Sequence, residues 1–401
     1  MPQLKRELGL FDITLAGVAV ILGAGIYALV GVAAGNAGNA VWISFVISAI
    51  VAMFTALSYA ELSAMFKGDS GEYDYVKSAM GNKFGFVIAL SMIFGTIISS
   101  AAVALGFAGY FTRFFPIPIV VAALGLIGLM TLLNVTGIKE TKYYNAVSTV
   151  LEMLGLIIII VAGFMYSKPG TNYFEMPNGF SGVVSSAALV FFAYLGFEGI
   201  VKLREETRNP TKNIPLGMLL ALAISTVLYV MVSYAAVGVL GWQDLSASNA
   251  PLASVAAMAF GGTAFLILGI IALFSTSNTV LMTMVAASRQ LYGMAEEKSM
   301  PKLFSKVGRT GTPYVAIFVT GIIAVIFSLM GDLELVANLT NLFLFLAFVA
   351  VNLSLIILRY THSFIHRPFK CPLNAGKFNL VALMGVLTSL GMICVILTNL
   401  L

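Results

Sequence analysis

Blocks of about 20 or more predominantly apolar residues recur along the whole chain, and they restrict its fold more than any other feature. A block of that length crosses about 30 Å of hydrocarbon as an α-helix. Of the 401 residues, 60% are hydrophobic and only 10% are charged, whereas a soluble globular domain carries about 25% charged residues. A soluble fold cannot hide so much apolar surface. We therefore expect an all-α, polytopic membrane protein.

Hydropathy predicts eleven membrane-spanning helices in a single transmembrane domain over residues 1–401. The first apolar block is longer than the core of a secretion signal and is followed at once by further blocks, so we interpret it as a spanning helix. The predicted spans are 10–34, 40–66, 84–114, 117–136, 143–166, 181–203, 214–239, 262–293, 313–330, 335–358 and 378–399.

The basic residues predict the orientation of these spans. We expect a multi-pass protein of the cell membrane with its N-terminus in the cytoplasm. In this orientation 20 of the 22 Lys and Arg residues lie in cytoplasmic segments, and only Arg113 and Lys168 lie outside. Cytoplasmic loops are enriched in Lys and Arg, and an odd number of spans then places the C-terminus outside. Because the net charge of +5 comes from residues at span ends rather than along one polar face, it does not indicate a nucleic-acid partner.

Two spans contain a glycine-interrupted segment near the middle of the membrane. Span 1 contains Gly23-Ala24-Gly25-Ile26, and span 6 contains the segment 192–198, five spans later. Broken helices at membrane depth are tolerated where they line a cavity, and this spacing is typical of two inverted repeats of five helices, here about 10–166 and 181–358, with 378–399 as an extra helix. Free amides at a half-helix N-terminus favour an anion and released carbonyls favour a cation, so a zwitterion suits both. Close helix packing is the alternative explanation of Gly23 and Gly25.

Motifs in a specific order along nearly the whole chain resemble those of the amino acid–polyamine–organocation (APC) superfamily of transporters, which has the LeuT fold. Each motif alone is weak, but their order is specific. The motifs are Gly23 to Ile26, Ser58-Tyr59-Ala60-Glu61-Leu62, Gly71-Glu72-Tyr73-Asp74-Tyr75, Phe191 to Glu198, Glu205 to Pro210, and Arg367-Pro368-Phe369-Lys370-Cys371-Pro372. Many members of the superfamily have twelve spans, whereas eleven are predicted here.

The resemblance implies alternating access around a site at the middle of the bilayer. In span 1 the backbone would contact a substrate carboxylate, and in span 6 carbonyl groups would hold the amino group between aromatic walls or gates. The substrate-binding residues implied in this way are Gly23, Ala24, Gly25, Ile26, Phe192, Ala193, Leu195, Tyr194 and Phe197.

The resemblance also points to Glu152 in span 5, where proton-coupled relatives carry a lysine in the place of a sodium ion. An ionisable group in the middle of an apolar span is costly and usually faces a cavity or titrates. The resemblance places Glu152 near the carbonyls of Ala19 and Leu22 and near Ser275, Asn278 and Thr279, oxygen ligands that would also suit sodium. We therefore expect proton coupling through Glu152. Sodium coupling, uncoupled exchange and a purely structural, hydrogen-bonded carboxylic acid are the competing explanations.

Other polar residues carry weaker signals. Glu198 follows the break in span 6 and is expected to anchor the half-helix, line a water path or contact substrate. Glu61 ends span 2 and is expected to pair with basic loop residues. His362 and His366 would share one helix face, but no third ligand is near in sequence, so we expect no metal site. No cofactor is expected apart from the coupling ion, and the sequence does not determine the oligomeric state.

Three other classes of protein compete with an amino acid transporter. A channel would need a continuous polar pore, which these apolar spans do not offer. An enzyme would need a converging nucleophile, acid and base or a metal cluster, and no Ser/His/Asp set or H-E-x-x-H motif is present. A transporter of the same fold for another small solute, such as an amine or a nucleobase, stays open as a third class.

Overall fold

The computed structural model describes residues 6–66, 71–137, 139–308 and 310–400, and nearly all of its regular structure is helical. The α-helices are α1 (Leu10–Ile21), α2 (Gly25–Ala37), α3 (Val41–Met65), α4 (Glu72–Met80), α5 (Asn82–Phe111), α6 (Ile119–Thr136), α7 (Lys139–Tyr166), α8 (Gly179–Val190), α9 (Pro210–Val239), α10 (Trp242–Ser246), α11 (Pro251–Phe260), α12 (Gly262–Glu296), α13 (Tyr314–Ser328), α14 (Leu333–Thr361) and α15 (Leu380–Leu400). Within these described ranges, four 3₁₀ helices occupy Gly38–Ala40, Phe191–Tyr194, Phe197–Glu206 and Lys302–Ser305. A two-stranded antiparallel hairpin, β1 (Asn374–Ala375) and β2 (Phe378–Asn379), precedes the last helix.

The prediction of an all-α, polytopic membrane protein is confirmed. Among the described residues, nine helical segments are long and apolar enough to cross a membrane. This number is lower than eleven because Gly25–Met65 counts as one segment and because α1 and α13 are shorter than 18 residues. Each of the eleven predicted ranges nevertheless coincides with helical structure, whereas the helices α4, α10 and α11, which lie between those ranges, were not predicted.

Span 1 is interrupted between α1 and α2. Leu22 leaves helical geometry, with φ −69° and ψ 42°, and the Gly23 amide folds back onto the Ile21 carbonyl at 2.7 Å. Regular helix resumes at Gly25. The predicted break therefore lies where the two glycines stand.

Span 6 is interrupted in the same region of the membrane. Helix α8 tightens into the 3₁₀ helix Phe191–Tyr194, Leu195 is extended, and Gly196 has a φ of 111°. Residues with a side chain rarely adopt such a positive φ, whereas glycine does so at no steric cost. A second 3₁₀ helix, Phe197–Glu206, completes the span.

The halves of spans 1 and 6 that lie on the N-terminal side of the membrane are joined by their backbones. Leu8 and Thr207 form a parallel β-bridge. The Leu8 amide donates to the Glu206 carbonyl at 3.0 Å, and the Arg208 amide donates to the Leu8 carbonyl at 2.8 Å. The two half-helices therefore share one anchor on this side.

A buried carboxylate links the C-terminal end of α3 to α14 and to the loop that follows α14. Glu61 is fully buried and forms ion pairs with Arg359, at the end of α14, and with Arg367, at 2.8 Å. It also accepts a hydrogen bond from the Cys371 amide at 2.7 Å. The expectation that Glu61 pairs with a basic loop residue is thus confirmed, and Arg359 adds a partner from a helix end. Burial and the nearby Glu61 carboxylate raise the pKa of the Cys371 thiol, so this thiol stays protonated and unreactive.

We predict that Glu61→Gln strongly destabilises the protein. Removal of one partner from a buried ion pair leaves uncompensated charge and typically costs about 3–5 kcal/mol. Thermal unfolding in detergent should show a clear drop in Tm, whereas the matched change at the exposed Glu205, Glu205→Gln, should leave the Tm almost unchanged. Equal Tm values for the two variants would contradict this role of Glu61.

Candidate substrate site

The two breaks lie directly against each other. A Cβ atom added to Gly25 would lie 2.6 Å from the Ala193 Cα, and one added to Gly196 would lie 2.6 Å from the Val20 Cγ1. Both distances are too short for real Cβ atoms. The backbones of spans 1 and 6 can therefore approach this closely only because glycine occupies these positions.

Tyr229 of α9 connects the two breaks. Its hydroxyl lies 2.6 Å from the Ile21 carbonyl oxygen and 2.9 Å from the Ala193 carbonyl oxygen, so one donor is shared between two carbonyls released by the breaks. The side chain is fully buried. Sequence reasoning missed this residue, although a tyrosine in the middle of an apolar span signals a hydroxyl that needs a partner.

The span 1 break exposes amides on one side and carbonyls on the other. The Ala24 amide donates to the Thr279 hydroxyl of α12 at 3.2 Å, and amides in the first turn of α2, including those of Gly25 and Ile26, have no intrahelical acceptor. In a continuous helix the amides of Gly23 and Ala24 would donate to the carbonyls of Ala19 and Val20. Here Gly23 donates to Ile21 and Ala24 to Thr279, so the carbonyls of Ala19 and Val20 lose their helical donors. The partial charges at these ends suit an anion at α2 and a cation at α1.

Glu152 of α7 lies in a polar cluster beside this break. Its side chain is 3% exposed, and its Oε1 accepts a hydrogen bond from the Ser275 hydroxyl at 2.8 Å. Its backbone carbonyl accepts from the Tyr27 hydroxyl at 2.9 Å. Thr279 lies one helical turn after Ser275 and holds Ala24, so a short chain of polar groups connects Glu152 with the break.

The remaining residues of the predicted coupling group have other surroundings. Asn278 donates to the Asn145 Oδ1 at 2.8 Å, and its own Oδ1 is buried without a partner among the described residues. Leu22 is fully buried at the end of α1. The structure therefore brings Glu152, Ser275 and Thr279 close to the break. Asn278 also bonds to α7, but its partner there is Asn145 and not Glu152.

The predicted aromatic walls are packed into the core. Tyr194 donates to the Phe45 carbonyl at 2.9 Å, and Phe197 packs against Tyr59 and Phe348 with ring centroids 5.8 and 5.6 Å away. Both side chains are fully buried. Phe192 is also buried, whereas Leu195 is only half-buried at the break. That these side chains wall or gate the site stays a prediction.

Glu198 supports the span 6 break from the N-terminal side of the membrane. Its Oε2 accepts a hydrogen bond from the Gly196 amide at 2.9 Å, which gives a partner to an amide that the break would leave free. The carboxyl also interacts electrostatically with Glu72 and Lys202. Glu198 therefore connects the break with the charged groups on that side.

Two cavities lie at opposite ends of the described helices. One, of about 420 Å³, lies on the N-terminal side between α4, α5 and α12 and is lined by Glu72, Lys202 and Arg289 among others. The other, of about 370 Å³, lies on the far side between α2, α5 and the start of α14, with Ala28 and Glu334 in its lining. Among the described residues, neither lining includes a residue of the two breaks, and we call these two cavities the vestibules.

Comparison with known proteins identifies similar chains. The family model described as amino acid permease matches residues 8–399. The branched-chain amino acid permease BcaP of Bacillus subtilis (strain 168) is 33% identical over 392 residues, which cover 92% of this chain and 84% of that protein. The methylthioribose transporter of the same organism is 32% identical over 391 residues, with 92% and 85% covered. A vacuolar cationic amino acid transporter 4 of Arabidopsis thaliana is 29% identical, with 89% and 64% covered.

We predict that Tyr229→Phe weakens the contact between the two breaks. The Ala193 carbonyl loses its donor and the Ile21 carbonyl keeps only the Gly23 amide, and an unpaired buried group costs about 1–3 kcal/mol. We expect a lower Tm and weaker ligand binding, measured by thermal unfolding with and without ligand. The control is Tyr166→Phe on α7, where the side chain is 45% exposed. If both variants keep the stability and binding of the parent protein, Tyr229 does not hold the breaks together.

Proposed function

The chain belongs to the amino acid permease family of membrane transporters and is not an enzyme, and we propose that it carries amino acids across the cell membrane by alternating access. The observation that carries this proposal is the contact between the two breaks, where Gly25 meets Ala193 and Tyr229 bonds to both spans. In the proposed cycle, each vestibule in turn opens a path to this contact. When the half-helices of spans 1 and 6 move, a solute bound there becomes accessible from one side of the membrane at a time.

The exposed backbone at the breaks favours an amino acid as cargo. Amides of α2 face a carboxylate, and carbonyls at the ends of α1 and of the 3₁₀ helix Phe191–Tyr194 face an ammonium group. A relative named for branched-chain amino acids is 33% identical, which makes leucine, isoleucine and valine the first candidates. Methylthioribose, for which another relative is named, has neither charged group and is the rival cargo. Amines and nucleobases are further candidates.

The proposed orientation follows from the distribution of charge. With 20 of the 22 basic residues inside, the N-terminus and the vestibule lined by Lys202 and Arg289 lie in the cytoplasm. The vestibule lined by Glu334 and the C-terminus then lie outside.

We predict that the purified protein is stabilised by branched-chain amino acids and transports them. A ligand that binds only the folded state raises its apparent stability, so millimolar leucine should raise the Tm, and labelled leucine should accumulate in proteoliposomes. The panel includes valine, isoleucine, arginine, adenine and methylthioribose. Stabilisation by methylthioribose or adenine alone would overturn the amino acid assignment.

Proton coupling through Glu152 is the second part of the proposal. The side chain is only 3% exposed and is held by Ser275, and its electrostatic neighbours among the described residues include Tyr27 and Tyr229. A membrane interior penalises the charged form, so such a group is suited to bind and release a proton as water reaches it from alternate sides. Sodium held by Glu152, Ser275 and the Ala19 carbonyl is the rival, and uncoupled exchange is the third mechanism.

We predict that leucine uptake follows an imposed pH gradient, acidic outside, and that Glu152→Gln removes this dependence. The Gln side chain keeps an acceptor for Ser275 but cannot carry a proton, so uptake should become independent of the gradient, while exchange of internal for external leucine should persist. Uptake by the parent protein that follows a sodium gradient and ignores the pH gradient would overturn proton coupling.

A further inference from the structure

A row of polar side chains follows one face of α14. Glu334, Asn338 and Asn341 are four and three residues apart and therefore lie one above the other. Asn338 is 3% exposed and Asn341 is fully buried. The side-chain carbonyl oxygen of each, Oδ1, has no hydrogen-bond partner in the part of the chain that the structure describes. Buried acceptors without a donor are rare, and hydrocarbon supplies none, so these two atoms indicate a missing donor.

This face of α14 is turned toward the outer halves of both broken spans. The Glu334 Oε1 accepts from the Asn36 Nδ2 of α2 at 2.8 Å. The Asn341 Nδ2 donates to the carbonyls of Ala188 and Leu189, at the end of α8, at 2.8 and 3.0 Å. Asn338 lies between these two contacts. The row therefore begins at a hydrogen bond with α2 and ends at two hydrogen bonds with α8.

The orientation of the Asn341 amide follows from its contacts. Only the NH₂ group can donate to the two carbonyl oxygens of Ala188 and Leu189, so the Oδ1 must point away from them. In doing so Asn341 also satisfies carbonyls where α8 tightens into the 3₁₀ helix that leads to the break. Its free acceptor thus lies beside the span that carries the candidate site.

The outer end of the row opens into the outer vestibule. The charged residues among those described in its lining are Asp332 and Glu334, both acidic. The two buried side-chain atoms of the row that lack a partner among the described residues, the Oδ1 atoms of Asn338 and Asn341, are both acceptors. Such acceptors match an ammonium group, which has three donors and no acceptor.

We propose that this row is the outer access path of the transporter, and that Asn338 and Asn341 accept hydrogen bonds from the ammonium group of the incoming amino acid when α2 and α8 move away from α14. The inference rests on the proposed function and adds to it the residues that receive the substrate. The axial spacings, about 6 Å from Glu334 to Asn338 and about 4.5 Å from Asn338 to Asn341, allow the group to pass from one acceptor to the next.

The first test measures access to Asn338 and needs no substrate. Asn338→Cys is introduced into a protein carrying Cys371→Ser and Cys394→Ser; the serine keeps a donor for the Leu57 carbonyl that Cys371 contacts. In proteoliposomes, a membrane-impermeant cationic methanethiosulfonate added outside should modify the introduced thiol about tenfold faster than an anionic one, because acidic walls concentrate cations. Adding Glu334→Gln removes one acidic group, so it should reduce the difference between the modification rates of the cationic and the anionic reagent.

The matched control is Ser225→Cys in the same background. Ser225 is also fully buried with an unpaired hydroxyl, but it lies on α9, away from the row. This thiol should stay unmodified. Absence of modification at position 338, or equal rates for the two reagents, would overturn the proposed path even if the protein transports amino acids.

The second test uses labelled leucine and Asn338→Leu. This change removes an unpaired buried acceptor at similar volume, so the Tm should not fall. The outside KM should rise several-fold while kcat changes less than twofold, because an early contact is lost and the site at the breaks is retained. An unchanged outside KM would overturn the role of Asn338. If the parent protein does not transport leucine, the cargo assignment fails, and the thiol experiment still decides the path.

Discussion

Every peptide group in the membrane interior needs a partner, and this requirement governs the arrangement around spans 1 and 6. Helix breaks release amides and carbonyls that lipid cannot satisfy. Here the Tyr229 hydroxyl serves the Ile21 and Ala193 carbonyls, the Thr279 hydroxyl serves the Ala24 amide, and the Glu198 carboxyl serves the Gly196 amide. Tyr229 and Thr279 come from the neighbouring helices α9 and α12, so these hydrogen bonds also link the broken spans to the surrounding helices.

The groups that satisfy the breaks are also the groups that a bound solute would meet. Thr279 connects the Ala24 amide with Ser275 and so with Glu152, and Glu198 connects the other break with charged residues on the N-terminal side, Glu72 and Lys202. A change of ligand or of protonation at the breaks would therefore act on the half-helices directly. On the N-terminal side these half-helices share the Leu8–Thr207 bridge, and at the end of α3 the buried Glu61 ties α14 to the following loop.

Much of the fold was readable from the sequence, because lipid imposes simple rules on it. Long apolar blocks indicated the spans, and each predicted range coincides with helical structure. Gly23, Gly25 and Gly196 marked the breaks, since glycine tolerates both the close contact and the positive φ. The short helices α4, α10 and α11 were missed, because they lie between the spans, where neither strong apolar periodicity nor membrane thickness sets their length.

The sequence by itself determined the class of protein, the number of apolar segments and the positions of the two breaks, because these depend on local composition and on backbone freedom. Only the tertiary structure decided which side chains meet there. Tyr229 lies 36 residues from Ala193, Glu152 lies 123 residues from Ser275, and Asn341 lies 153 residues from Ala188. Hydrogen bonds over such separations depend on how helices pack around one another, and no local pattern in a single sequence encodes that packing.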